Sequence, residues 1–188
     1  ISSNTTYSKF VEQLFNRGML TFKQTVGEST LGCFFILKKN QLLRIILDTR
    51  HLNGFCHDPP KTRLPSASCF TALESQEGSE IFFCGCDIPN CFYHLRCPEG
   101  MDDWFSLPPV APGLLPHIRR KLGLPMHVSV TPHLLVLPMG WSWSLHIAQK
   151  VHEFHIARAG VPRELFLADH SPTVPLTDVD AVVAAYVD

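Results

Sequence analysis

Two short apolar runs in this chain of 188 residues each end in an aspartate. Ile81-Phe82-Phe83-Cys84 leads through Gly85 and Cys86 to Asp87, and Ala181-Val182-Val183-Ala184-Ala185 leads through Tyr186 and Val187 to Asp188. Short runs rich in apolar, β-branched and aromatic residues predict buried strands. A lone acid at the end of such a strand commonly serves as a helix cap or a hydrogen-bond acceptor. Two strands that each deliver one have a second use, because converging carboxylates hold divalent cations through hard oxygen ligands. That use constrains the fold, since it requires the two runs to lie on adjacent strands of one sheet.

The rest of the chain mixes helical and strand patterns. Tyr7, Phe10, Val11, Leu14 and Phe15 recur at helical spacing, with Asn4, Thr5 and Thr6 as caps and Gly18 as a stop. They predict a helix over 6–17. Residues 33–37 and 42–47 predict a hairpin around the turn Lys38-Lys39-Asn40-Gln41, with Arg44, Ile46, Asp48 and Arg50 on one face. Asp58-Pro59-Pro60-Lys61-Thr62-Arg63-Leu64-Pro65 reads as a crossing loop, because proline removes donors and restricts its predecessor. Residues 74–80 read as a polar loop. Met101-Asp102-Asp103 reads as a turn that opens a strand from Trp104 to Leu107. In the proline-rich stretch 108–126, Arg119-Arg120-Lys121 reads as a solvated helix end, with phosphate contact as the alternative. Residues 127–130 and 134–137 predict paired strands. Ile147, Val151 and Phe154 predict a helix over 143–159 that Gly160 stops, before an irregular excursion over 161–180. The class expected is α+β.

Four motifs, in order, carry a family resemblance. Arg44-Ile45-Ile46-Leu47-Asp48-Thr49-Arg50-His51-Leu52-Asn53 follows R-x-x-x-D-x-R-x-L-N. Asp87 is followed at five and six residues by Phe92-Tyr93. Leu137-Pro138-Met139-Gly140-Trp141 follows the L-P-Q-G-W turn, and Tyr186-Val187-Asp188 follows the start of a Y-x-D-D box. Together they resemble the fingers and palm of a retroelement reverse transcriptase. The resemblance implies a right-hand polymerase-like fold with an antiparallel palm sheet packed on helices. It implies fingers over 1–80, a palm segment with the first catalytic strand over 81–96, a return to the fingers over 97–136, and palm again over 137–188. The implied activity is primer-directed DNA synthesis on RNA and DNA templates by two-metal phosphoryl transfer, with Mg²⁺ or Mn²⁺ as cofactor and deoxynucleoside triphosphates as substrates. Asp87 and Asp188 are then catalytic and hold the ions, with the carbonyl of Ile88 as a further ligand. Lys38, Lys39, Arg44, Phe92, Met139 and Gly140 face the nucleotide. Asp48, Arg50 and Tyr186 support template and primer or brace the structure. On residue type alone, Phe92 is either a sugar gate under the ribose or a core aromatic. Met139 departs from the family's Gln and removes a polar contact, while Gly140 still offers close backbone.

Composition bears on this reading from both sides. The formal net charge is −1, and a nucleic-acid enzyme is usually more basic, because neutralised phosphates drive its affinity. There is no initiator Met, and the last motif is incomplete, so a piece of a longer reading frame is expected, inactive alone. No run of 18 apolar residues predicts a membrane span. Seven cysteines in no regular framework predict a reduced, intracellular chain, in cytoplasm or nucleus. Three alternatives stand beside the polymerase. One is a decayed or isolated segment with at most nucleic-acid binding. Another is a serine hydrolase built on Gly140-Trp141-Ser142-Trp143-Ser144 with Asp169-His170 downstream. The third is a zinc site drawn from Cys84, Cys86, Cys91, His94 and Cys97. Its spacing matches no known zinc pattern, and the expected buried strand makes Cys84 and Cys86 small hydrophobes.

Overall fold

Helix α1 (Asn4–Asn16) begins ahead of the expected 6–17, because its N-cap is Ser3, whose Oγ accepts from the Thr6 N–H at 3.2 Å. Its stripe buries Val11 and Leu14. Gly18, at φ +68°, turns the chain out of the helix and donates its N–H to the Phe15 carbonyl at 2.8 Å. The computed structural model describes residues 3–39, 41–170, 172, 175–177, 179 and 181–187. Their architecture is mixed helix and strand, α+β, with two small antiparallel sheets.

The first sheet pairs β1 (Leu20–Lys23) with β4 (Thr131–Leu134), with Leu20 opposite Leu134 and Lys23 opposite Thr131. This corrects the expected pairing of 127–130 with 134–137. Four-residue strands carry little periodicity, and β4 contains Pro132, which argues against a strand on sequence alone. Pro132 still accepts, taking the Leu107 N–H at 2.8 Å. The second sheet is the expected hairpin, β2 (Gly32–Leu37) with β3 (Leu43–Asp48). Its inner face carries Phe35, which meets Phe10 of α1 edge-on at 5.2 Å between ring centroids. On its other face Ile36 stands opposite Arg44, and Phe34, Ile36 and Arg44 are exposed.

The chain divides into two compact units. Unit 1 is Ile1–His57 with Phe92–Ser144, and unit 2 is Asp58–Cys91 with Leu145–Asp188. The chain passes between the units after 57, 91 and 144. Of the buried apolar side chains among the described residues, eighteen belong to unit 1 and five to unit 2. Burial of apolar area is the main favourable term in folding, so most of the stability resides in unit 1.

Unit 1 also holds the short helices α2 (Arg50–Asn53) and α4 (Pro116–Leu122). Arg119 of α4 is fully buried, which overturns its reading as a solvated helix end. Its guanidinium donates to four carbonyls: Nε to Leu114 at 2.6 Å, Nη1 to Pro125 at 2.6 Å and Val128 at 2.8 Å, and Nη2 to Ala111 at 3.0 Å. It therefore gathers the irregular chain on either side of α4, whose carbonyls lie outside the helix.

Unit 2 contains α3 (Ala67–Thr71) and most of α5 (Ser142–Arg158), which matches the predicted 143–159. Ile81–Cys84 is not the expected buried strand. Residues 79–88 form no regular element, and every residue from 74 to 90 is exposed. An apolar run becomes a strand only when a ladder partner takes its N–H and C=O groups. None does so among the described residues. Among the described residues the second run makes one bridge, Val183 with Phe166, in which the Leu167 N–H donates to Val183 O at 2.8 Å. No helix among the described residues is long and apolar enough to cross a membrane.

Candidate functional site

Two of the quoted motifs, far apart in sequence, meet inside unit 1. Asn53 ends α2, and its Nδ2 donates to the Gly140 carbonyl at 3.0 Å while its Oδ1 accepts from the Ser142 N–H at 3.0 Å. The amide of one side chain thus spans the Pro138–Trp141 turn and satisfies a donor at the start of α5. Gly140 adopts φ +113°, and a Cβ there would stand 3.1 Å from Thr49 Oγ1 and 3.2 Å from the Leu47 carbonyl. Only glycine fits both the conformation and the approach. Buried Trp141 meets Phe105 edge-on at 5.1 Å and directs its Nε1–H to Cys56 Sγ at 3.4 Å, while Trp143 Nε1–H donates to His57 O at 2.7 Å. The turn is fixed along the whole end of the hairpin strand and the helix that follows it.

Beside this junction, Asp48 and Arg50 form a forked pair, Nε to Oδ1 at 2.9 Å and Nη2 to Oδ2 at 2.6 Å. Those bonds pull the Asp48 carboxyl down to about 2. Thr30, Gly32, Asp48, Arg50 and His51 line a shallow cleft of about 490 Å³. At the hairpin tip Lys38 is half-buried and Lys39 exposed, and Arg44 lies exposed on the outer face. Cations here can meet an anionic ligand without first breaking a buried pair.

The acidic positions stand differently. Asp87 lies in the exposed stretch of unit 2 and joins no ion pair among the described residues, and Ile88 beside it is exposed. Asp188 lies outside the described residues. Tyr186 is exposed, between buried Ala185 and Val187. The Ala185 carbonyl accepts from Nε2 of buried Gln149 on α5 at 2.8 Å. Phe92, in a 3₁₀ turn over Cys91–His94, is only 6 % exposed and belongs to the core of unit 1. Met139 is half-buried and Gly140 exposed.

One cluster escaped the reading of Met101-Asp102-Asp103 as a plain turn. The turn is real, a 3₁₀ turn over Met101–Trp104 entered through Gly100 at φ +82°. Its two carboxylates converge with fully buried His133, whose Nδ1 lies 3.3 Å from Asp103 Oδ1 and 4.0 Å from Asp102 Oδ2. Such donors suit a metal ion. Here Lys23 Nζ already lies 2.6 Å from Asp102 and 2.7 Å from Asp103. Burial pulls the Lys23 ammonium down, but bonds to both carboxylates raise it overall, and the same ammonium lowers Asp103. The cluster therefore ties β1 to the 101–104 turn. Sequence offered no signal for a lysine so far away in the chain.

The hydrolase alternative gains nothing. In that elbow the nucleophile would be Ser142, and Ser144 stands at the second glycine position, where its buried Oγ donates to the Pro138 carbonyl at 2.8 Å. Asp169 accepts from Ser66 Oγ at 2.5 Å, Ser68 Oγ at 3.1 Å and Cys69 Sγ at 3.2 Å, bonds that lower its carboxyl below the usual range. A carboxylate so engaged is a structural acceptor for α3, not the orienting partner of a histidine. No protein-family model matches this chain, and no curated protein matches it.

Proposed function

We propose that this chain is the fingers-and-palm part of a reverse transcriptase that extends a primer with deoxynucleotides on RNA and DNA templates. The observation that carries the reading is the junction of Asn53 with the Gly140 turn. It joins two of the four motifs that carry the resemblance. A chance pair of motifs separated by most of a unit has no reason to interlock through a specific side-chain amide.

On this reading Asp87, the Ile88 carbonyl and Asp188 hold Mg²⁺ or Mn²⁺. Asp87, exposed and in no ion pair among the described residues, fits that use as a hard oxygen ligand. The ions supply charge neutralisation at the triphosphate and a more acidic primer hydroxyl. Lys38, Lys39 and Arg44 add positive charge for the phosphoryl oxygens, where preorganised cations lower the barrier most. Gly140 brings backbone to the nucleotide without a side chain between them. The Asp48–Arg50 pair holds the end of the hairpin beside it. Gln149 holds the segment that leads to Asp188 through the Ala185 carbonyl.

A second reading, non-catalytic nucleic-acid binding, draws on one observation: Asp87 stands in exposed chain rather than on a paired strand. Primer extension separates the two. In a polypeptide that carries residues 1–188 intact, Asp87→Asn is expected to abolish incorporation and leave template binding nearly unchanged, since the phosphate contacts remain. Incorporation within tenfold of the unaltered protein removes Asp87 from catalysis. Template binding without any incorporation by the unaltered protein favours the second reading.

A further inference from the structure

Unit 2 brings together a cysteine and a histidine that sequence spacing did not connect. Cys91 Sγ and His152 Nε2 lie 3.6 Å apart, half-buried, with His152 on α5. That separation is about the edge of a tetrahedron whose bonds are near 2.3 Å to sulfur and 2.0–2.1 Å to nitrogen. Two more thiols precede Cys91 in the same unit. Cys84 and Cys86 are free and exposed. Cysteine is among the residue types most often buried, so two exposed thiols on one short stretch are unusual. They also stand on chain without a regular element, beside Phe82 and Phe83, which are 86 % and 77 % exposed. The four residues separating Cys86 from Cys91 give ample length for the stretch to fold back, since extended chain covers about 3.3–3.6 Å per residue.

We propose that Cys84, Cys86, Cys91 and His152 form a binding site for one Zn²⁺ ion, with Cys91 and His152 as its preset edge. The set differs from the one read in the sequence, in which His94 and Cys97 completed the group. Those two residues belong to unit 1. Thiolate and imidazole are the ligands zinc favours, and three sulfurs with one nitrogen is a familiar structural set. Binding releases the thiol protons to solvent, and the negative charge of nearby Asp87 favours the incoming cation. Closing the site orders residues 84–91 and so restricts the backbone that carries Asp87. This is the folding work that structural zinc performs in small units with little core. The inference does not depend on polymerase activity.

The test uses the reduced 188-residue chain and Co²⁺ as a spectroscopic probe, followed by competition with Zn²⁺. One equivalent of Co²⁺ is expected to give tetrahedral ligand-field bands and a thiolate charge-transfer band, both lost on adding Zn²⁺. Cys84→Ser, Cys86→Ser, Cys91→Ser and His152→Ala should each weaken binding at least about tenfold, as loss of a ligand or its support does. Cys33→Ser and Cys97→Ser should leave it unchanged. A second measurement needs no variant: Zn²⁺ should protect Cys84, Cys86 and Cys91 from alkylation, but not Cys33 or Cys97. Octahedral spectra alone, binding unaffected by Cys86→Ser, or absence of protection overturns the proposal.

Discussion

Asn53 shows how much one amide can settle. It supplies both a donor and an acceptor to the turn around Gly140. Asn53→Ala leaves the Gly140 carbonyl and the Ser142 N–H without that partner. The expected cost is about 1–3 kcal/mol, measured as a lower midpoint in urea at unchanged slope. Asn53→Asp should cost at least as much, because a carboxylate cannot donate to the Gly140 carbonyl. The sequence placed Asn53 in a motif, but a motif does not say which backbone groups its amide will meet. Asp48 offers a prediction in pH. Bonds from Arg50 lower its carboxyl from 3.8 to about 2 in the folded chain. A depressed folded value means that the pair adds stability above the unfolded value and loses it as pH falls toward 2. Acid titrations of unfolding should therefore steepen between about pH 4 and pH 2. Asp48→Asn should flatten that part of the curve, and salt should shrink the difference, because Arg50 is exposed.

Elements were legible where periodicity is long and partners are local. Helix α1, the β2–β3 hairpin and α5 each announce themselves over a dozen residues or through adjacent strands. The β1–β4 pair did not, since its strands are four residues each and lie more than a hundred residues apart. Ile81–Cys84 has every local mark of a strand, yet strand formation is decided by a partner that local sequence does not specify. Arg119 was misread for a related reason. A basic cluster at a helix end looks solvated, and the carbonyls that draw Arg119 inward leave no trace in side-chain patterning. Arg119→Met keeps the length and apolar stem but strands four carbonyls. It should destabilise unit 1 by at least about 3 kcal/mol, from the loss of several charge-assisted bonds. Arg119→Lys should recover only part, since one ammonium cannot reproduce the planar fork. Denaturant midpoints of the two variants, compared at equal slope, provide the check. Arg119→Met within 0.5 kcal/mol of the unaltered chain, a margin typical of surface changes, would return the residue to the surface.

At the scale of the whole molecule the two units are unequal, with most buried apolar side chains in unit 1. The sequence pointed the other way, because 81–84 and 181–185 both read as buried strands. What sequence could not show is that its most hydrophobic segment there, Ile81-Phe82-Phe83-Cys84, would stay in solvent. This has a colloidal consequence. An uncharged segment of high strand propensity with unpaired backbone is a template for intermolecular cross-β pairing. Its chemical neighbours offer weak protection, since the nearest acids, Glu80 and Asp87, stand outside the run and no lysine or proline interrupts it. The chain should therefore lose solubility steeply with concentration, with amyloid-type dye binding that seeds accelerate. Phe82→Lys places a charge in the middle of the run without removing a buried contact, because Phe82 makes almost none. It should lengthen the aggregation lag several-fold and leave the melting temperature of unit 1 unmoved. Equal lag times for the two proteins would assign the aggregation to another part of the chain, the exposed outer face of the hairpin being next in apolar character.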